Sequence, residues 1–302
     1  MPIAPDPAAP RSETDAHPTA RWIAPRVALA SCVRAYLTRS TLHCAPLPPD
    51  QCANRFPAHA YCSLTWFIEG APVLTAPAGD AWFDRRLPHV VFSGPRSQPL
   101  VVRHDGPMQA FTLALYPQAV HALTGLRIAE HLDRFTPVDE LLPPPWQALS
   151  GQVLAAASDD DRVALIEQFL EPRWQAHRAQ PGAGVGGSLG HSVRDWVRAF
   201  SGQMLAMAAG HSARHLERRV KGWAGQPLRR LRRLDRAERS FLAARAGLQD
   251  GTLSWAEIAA AGGFADQAHL SREMREITGD SPRDWARKVE EDESYWAYRI
   301  WS

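Results

Sequence analysis

The chain has 302 residues, 45% hydrophobic and 22% charged, enough for about two domains that each bury a core. No apolar run approaches the roughly 20 residues that cross a bilayer, and the Pro/Ala-rich start lacks the apolar centre of a secretion signal, so the expected compartment is the cytoplasm, with no membrane partner. The net charge of +2 is unevenly spread: residues 188–289 hold 18 Lys and Arg against 11 Asp and Glu, a net +7 that leaves −5 for the rest and points one part of the chain at a polyanion.

Residues 1–20 read as a disordered leader, and residues 21–178 as one domain that is β-rich first and helical later. The run 62–68 (CSLTWFI) is β-branched and aromatic, and 90–93, 100–103 and 110–116 are short apolar runs bounded by Gly, Pro or Asp. Strands of this length and spacing predict a barrel or sandwich. Helices are predicted over 145–157 and 160–174, where Val163, Ile166, Phe169 and Leu170 recur at helical spacing. Four cysteines, Cys32, Cys44, Cys52 and Cys62, form no Cys-x-x-Cys pair. Together with His43 and His59 they are soft or borderline ligands in a short span, but the spacing fits no zinc pattern. Packed, reduced thiols are the expectation, with no metal and no cofactor.

Gly and Pro crowd into 179–190 (AQPGAGVGGSLG), which reads as a linker. Beyond it, 191–289 has the pattern of an all-helical domain and contains an internal repeat at an offset of 54 residues. HSARHLERRVKGWAG, from His211, aligns with ADQAHLSREMREITG, from Ala265. Ser212 and Asp266 are good helix N-caps, and Gly225 and Gly279 suit the left-handed residue that ends a helix. Leu216, Val220 and Trp223 share one helix face, as do Leu270, Met274 and Ile277, so that face packs inward. The opposite face carries Arg214, Glu217, Arg218 and Lys221 in the first copy and Ala268, Ser271, Arg272 and Arg275 in the second. Arginine can pair with guanine O6 and N7, and small residues allow close approach, so both helices suit a major groove.

Each copy follows another short segment of helical pattern, 203–209 before Gly210 and 255–261 before Gly262-Gly263, with Ser254 as a cap. Helix, Gly-bearing turn, helix is the helix-turn-helix pattern. Between the copies, 227–246 reads as a connecting helix with Leu228, Leu231, Leu234, Phe241 and Leu242 on its buried side and Arg229, Arg230, Arg232, Arg233, Arg236 and Arg239 around them.

At IAAAGGFADQAHLSREMREITGDSPRDW, residues 258–285, the sequence resembles the AraC/XylS family of transcription regulators, and the resemblance extends over roughly 192–287. It implies an all-helical domain of two helix-turn-helix units docking in successive major-groove segments, about 10 bp apart. The family's base-reading positions would fall on Arg214, Glu217 and Arg218, and on Gln267, Ala268 and Arg272. Two of these depart from the family pattern: Glu217 stands where Gln is common, and Ala268 cannot hydrogen-bond. The stretches 56–70 and 115–125 look like parts of the family's cupin-like sensor barrels.

The expected fold is therefore an α+β N-terminal cupin-like barrel or sandwich with helices, joined to an all-α C-terminal domain. The expected function is that of a sequence-specific, non-enzymatic AraC-type activator or repressor. Its partners would be double-stranded promoter DNA, RNA polymerase, an unknown small-molecule effector and a second copy of the chain. One alternative is a DNA-repair methyl acceptor joined to an AraC-type domain. Such acceptors hold zinc with closely spaced cysteines, unlike the spacings of 12, 8 and 10 residues here. The other is an effector-binding or interaction module that no longer binds DNA. The tail, 290–302, pairs acids with Tyr295, Trp296, Tyr298 and Trp301, and reads either as folding its aromatics back onto a domain or as a dimer contact.

Overall fold

The computed structural model describes residues 17–77, 82–180 and 213–300. The first half is an antiparallel two-sheet sandwich with helices. Its strands are β1 (Thr19–Ile23), β2 (Val33–Ser40), β3 (Ala53–Phe56), β4 (Cys62–Glu69), β5 (Val73–Ala76), β6 (Val90–Ser93), β7 (Leu100–Arg103), β8 (Gln109–Leu115) and β9 (Phe135–Pro137). Six strands form one sheet in the order β1-β2-β8-β4-β6-β9, and three form the other in the order β3-β7-β5. Four helices accompany them: α1 (Pro117–Thr124), α2 (Val138–Leu141), α3 (Pro144–Ala155) and α4 (Asp159–Arg178).

The larger sheet is buried on both faces, one against the helices and the other against the smaller sheet, where Phe67, Val91 and Ala110 join Leu74, Leu100 and Val102 in a second apolar core. Alternate residues point to opposite sides of a strand. Leu64, Trp66, Phe92, Phe111, Leu113 and Leu115 pack in one core with residues of α1, α3 and α4. The other side, with Ser63, Thr65, Ser93 and Thr112, faces the smaller sheet across a cavity of about 120 Å³.

Strand β1 starts at Thr19, inside the segment expected to be leader, and pairs in register with β2. The apolar pattern also gave no sign of β2, β3, β5 or β9. In β2 the reason is visible: Arg34 and Arg39 interrupt the run, yet both are buried, because Glu238 and Glu293 from the far end of the chain neutralise them. A strand whose charges are matched by distant residues carries no local signature of burial.

The second half is helical throughout its described part: α5 (Ala213–Ala224), α6 (Leu228–Gln249), α7 (Trp255–Gly262), α8 (Gln267–Thr278), α9 (Pro282–Glu291) and a short α10 (Trp296–Ile300). Its core includes Val220, Leu231, Leu234, Phe241, Leu270, Met274, Ile277 and Trp285, and continues into Ala58, Ala60, Tyr61 and Tyr116 of the first half.

Residues 57–61, between β3 and β4, hold the two halves together. The Ala58 N–H donates to Ile277 O (2.8 Å) at the end of α8. Gln226 Nε2, just past α5, donates to His59 O (3.1 Å). The Tyr61 hydroxyl donates to Glu238 Oε2 (3.0 Å) in α6, and Arg34 Nη2 reaches the other oxygen of that carboxylate at 3.0 Å. The tail folds Tyr295, Trp296 and Tyr298 back, all of them buried, and Trp301 lies outside the described residues. No described helix is long and apolar enough to cross a membrane.

Candidate nucleic-acid interface

The repeat read from the sequence forms two helices, α5 and α8, each twelve residues long. Asp266 caps α8, its carboxylate accepting from the His269 N–H at 2.6 Å. Ser254 caps α7 through the Glu257 N–H (3.3 Å). Gly225 and Gly279 end α5 and α8 in the left-handed region at φ 73° and 86°. The cap residue Ser212 and the segment 203–209, read as the first helix of the first unit, lie outside the described residues.

In α8 the inward face is fully formed, with Leu270, Met274 and Ile277 all 0–1% exposed. Gln267, Ala268, Arg272 and Arg275 are exposed, and Ser271 is half-buried. In α5 Val220 is buried and Trp223 half-buried, while Glu217, Arg218 and Lys221 are exposed. Arg214 lies in the first turn of α5, and its side chain is outside the described residues. The C-terminal end of α5 packs on the first half, where a Cβ at Gly225 would press on Ile128 Cγ2 at 3.2 Å and Pro95 Cγ at 3.3 Å.

The arginines of this region divide into two groups. Those of the connecting helix α6 are largely used inside the molecule. Arg236 grips the buried Glu273 of α8 with both Nε (3.2 Å) and Nη2 (2.8 Å). Arg233 Nε reaches the same carboxylate at 3.2 Å and also binds Glu276. Arg230 donates to Ser97 O of the first half at 2.6 Å. The hydrogen bond from Arg233 holds the Glu276 carboxyl below its ordinary range. By contrast, among the described residues, Arg272 and Arg275 on the outer face of α8 have no ion pair. A cation left exposed beside a cluster of satisfied ones is open to an external anion.

The Arg233–Glu273–Arg236 cluster escaped the sequence reading, which assigned Glu273 no role. A signal was present: acids at 273 and 276 and arginines at 230, 233 and 236 follow matching spacings of three, the register in which two helices can exchange charges. Glu273→Ala should cost about 2 kcal/mol in chemical denaturation, because Arg236 would then lose its counter-ion and Arg233 would keep only Glu276. Their residual exposures of 32% and 24% keep the cost below that of a fully buried pair. Glu273→Gln, which keeps the acceptor oxygen, should cost less.

The cysteines do not converge. Cys32 and Cys62 are buried, and burial raises both thiol pKa values well above the ordinary range. Cys44 and Cys52 are half-buried, and each donates to a nearby carbonyl, of Thr41 and Leu47. His59 is bound through Nδ1 to Tyr61 O at 3.1 Å. Among the described residues no three His, Cys, Asp or Glu side chains gather as a metal site would require.

Residues 205–288 match a family model described as a helix-turn-helix domain. No curated protein matches the chain. Among solved structures, the chain is similar to ToxT from Vibrio cholerae in its P21 form, with 11% identity, 78% of this chain and 93% of that chain covered, and a TM-score of 0.39. It is also similar to ToxT from Vibrio cholerae O395, with 11% identity, 79% and 98% covered, and a TM-score of 0.39.

Proposed function

Residues 205–288 being an AraC-type helix-turn-helix domain, we propose that the protein is a sequence-specific regulator of transcription that acts by binding rather than by catalysis. The 191–289 region reads promoter DNA, and the 21–178 region senses a small molecule through the cavity between its sheets. The linker is 179–190.

The observation that carries this reading is the division of the arginines. Arg230, Arg233 and Arg236 are consumed by internal acceptors, whereas Arg272 and Arg275 stand exposed beside Gln267, Ala268 and Ser271 on a single helix face. In this assignment Arg272, Gln267 and Ala268 meet base edges, and Arg275 and Ser271 meet phosphate. Arg214, Glu217, Arg218 and Lys221 play the corresponding parts from α5 in the neighbouring groove segment, about 10 bp away. RNA polymerase and a second copy of the chain are the protein partners this role calls for.

Arg272→Ala tests the assignment. Operator affinity, measured by gel shift at fixed salt, should fall by about 1–3 kcal/mol, with relaxed specificity at one base step. A uniform loss across all sequences would move Arg272 to phosphate contact. A wild-type chain that prefers no sequence would remove the regulator reading, and stoichiometric methyl transfer from alkylated DNA to a cysteine would replace it.

A further inference from the structure

The tail after α9 reaches into the sandwich, and its chemistry there is specific. The indole of Trp296, 4% exposed, forms part of the cavity wall. Its Nε1–H donates to Asn54 Oδ1 at 2.7 Å, and its ring meets Phe56 edge-on, with centroids 5.8 Å apart. The Arg39 guanidinium lies 5.3 Å from the indole centroid. The same guanidinium pairs through Nη1 with Glu293 Oε1 at 2.8 Å. Arg39 and Asn54 are each 3% exposed, and Arg39 Nε is buried with no hydrogen-bond partner among the described residues.

The tail therefore presents an aromatic ring and a carboxylate, three residues apart, to a buried arginine and a buried amide oxygen at the edge of a cavity. A buried guanidinium needs an anion. If Glu293 leaves, a neutral molecule cannot replace it, and a cation is repelled. The gap between Phe56 and Arg39 fits a flat ring, whose face attracts the cation. A dry cavity of roughly 150 Å³ takes up benzene, so the present space, enlarged by a departing indole, suits one or two fused rings.

We infer that the tail is an internal stand-in for a small aromatic carboxylate, and that such a molecule binds against Arg39 and Asn54 by displacing Trp296 and Glu293. The inference rests on the reading of the first half as the sensing half. Displacement would loosen a strap between the halves, because residues 292–300 directly follow the DNA-binding helices and lie against β1 and β3. A tethered competitor acts at a high local concentration, so the intact tail weakens an external ligand and couples its binding to the arrangement of the two halves.

The experiment is titration of the full-length protein with indole-3-propionate, and with indole as the neutral control. The double variant E293Q/W296A is expected to bind the acid at least tenfold more tightly than wild type and to prefer it to indole at least tenfold. Arg39→Met should lose that preference. In wild type, saturation with the acid should speed amide exchange across residues 293–300 at least tenfold. Should the double variant misfold, Trp296→Phe, which keeps the ring but loses the N–H donor, should bind the acid about threefold more tightly. Equal affinity in wild type and variant, acid binding that leaves the tail protected, or no binding by a variant with a native circular dichroism spectrum would each overturn the inference. None of these measurements involves DNA. Their failure leaves the regulator reading standing, and failure of the Arg272→Ala assay leaves the competition result standing.

Discussion

Trp285→Ala should destabilise the helical half by about 3–5 kcal/mol, enough to abolish operator binding at ordinary temperature. Trp285 is fully buried in α9 and is the point where three other elements meet. It stacks on Phe241 of α6, with centroids 5.4 Å apart, and makes edge contacts with Trp255 of α7 and Tyr298 of the tail at 6.2 and 5.7 Å. An alanine there leaves a cavity that touches every neighbour of α8, so α8 loses the support that holds its arginines outward. Trp285→Phe isolates the cause. The indole Nε1 has no hydrogen-bond partner, so phenylalanine forfeits volume but no hydrogen bond, and should cost about 1–2 kcal/mol. Denaturant unfolding followed by near-ultraviolet circular dichroism would measure both. Comparable losses in the two variants would mean that the ring's size is not what supports α8.

Acidification from pH 6.5 to 4 should remove about 3 kcal/mol of stability through His59 alone. Burial, reinforced by the nearby Arg96 guanidinium, lowers the His59 pKa from 6.5 to about 4. Above pH 6.5 the ring is neutral in both the folded and unfolded chains and has no effect. Below it, the unfolded chain takes up a proton that the folded chain refuses, so folding weakens progressively until about pH 4 and no further below. His59 sits in the 57–61 segment that bonds to α5, α6 and α8, so the loss should appear first as separation of the two halves. His59→Gln should remove the His59 share of the dependence between pH 6.5 and 5, where few carboxylates titrate, leaving the shares of His104 and His131, whose pKa values burial also lowers. Parallel pH profiles for wild type and variant would place the acid sensitivity elsewhere.

How much of this could be read in the chain depended on whether a feature was local. Strands β6 and β7 coincide with their short apolar runs, β4 extends one residue beyond its run, and β8 is shifted by one residue at both ends. Strand β2 went unread because its arginines look like surface residues until Glu238 and Glu293 are set beside them. The exposed face of α8 was legible because caps, apolar spacing and polar spacing all agree over twelve consecutive residues. The tail left two readings open, since aromatic side chains declare a need for burial but not the partner that meets it.

The sequence by itself determined the two amphipathic helices with their left-handed glycine ends, and the concentration of positive charge around them, because helix periodicity and capping act over a few residues. Tertiary contacts alone settle which arginines stay exposed and which pair internally, that residues 57–61 bond to α6 and α8, and that Trp296 lines the cavity in the other half. Those outcomes depend on ion pairs and contacts between distant residues, such as Asn54 and Trp296, 242 positions apart, and the free energy of such a contact is absent from any local window of the chain.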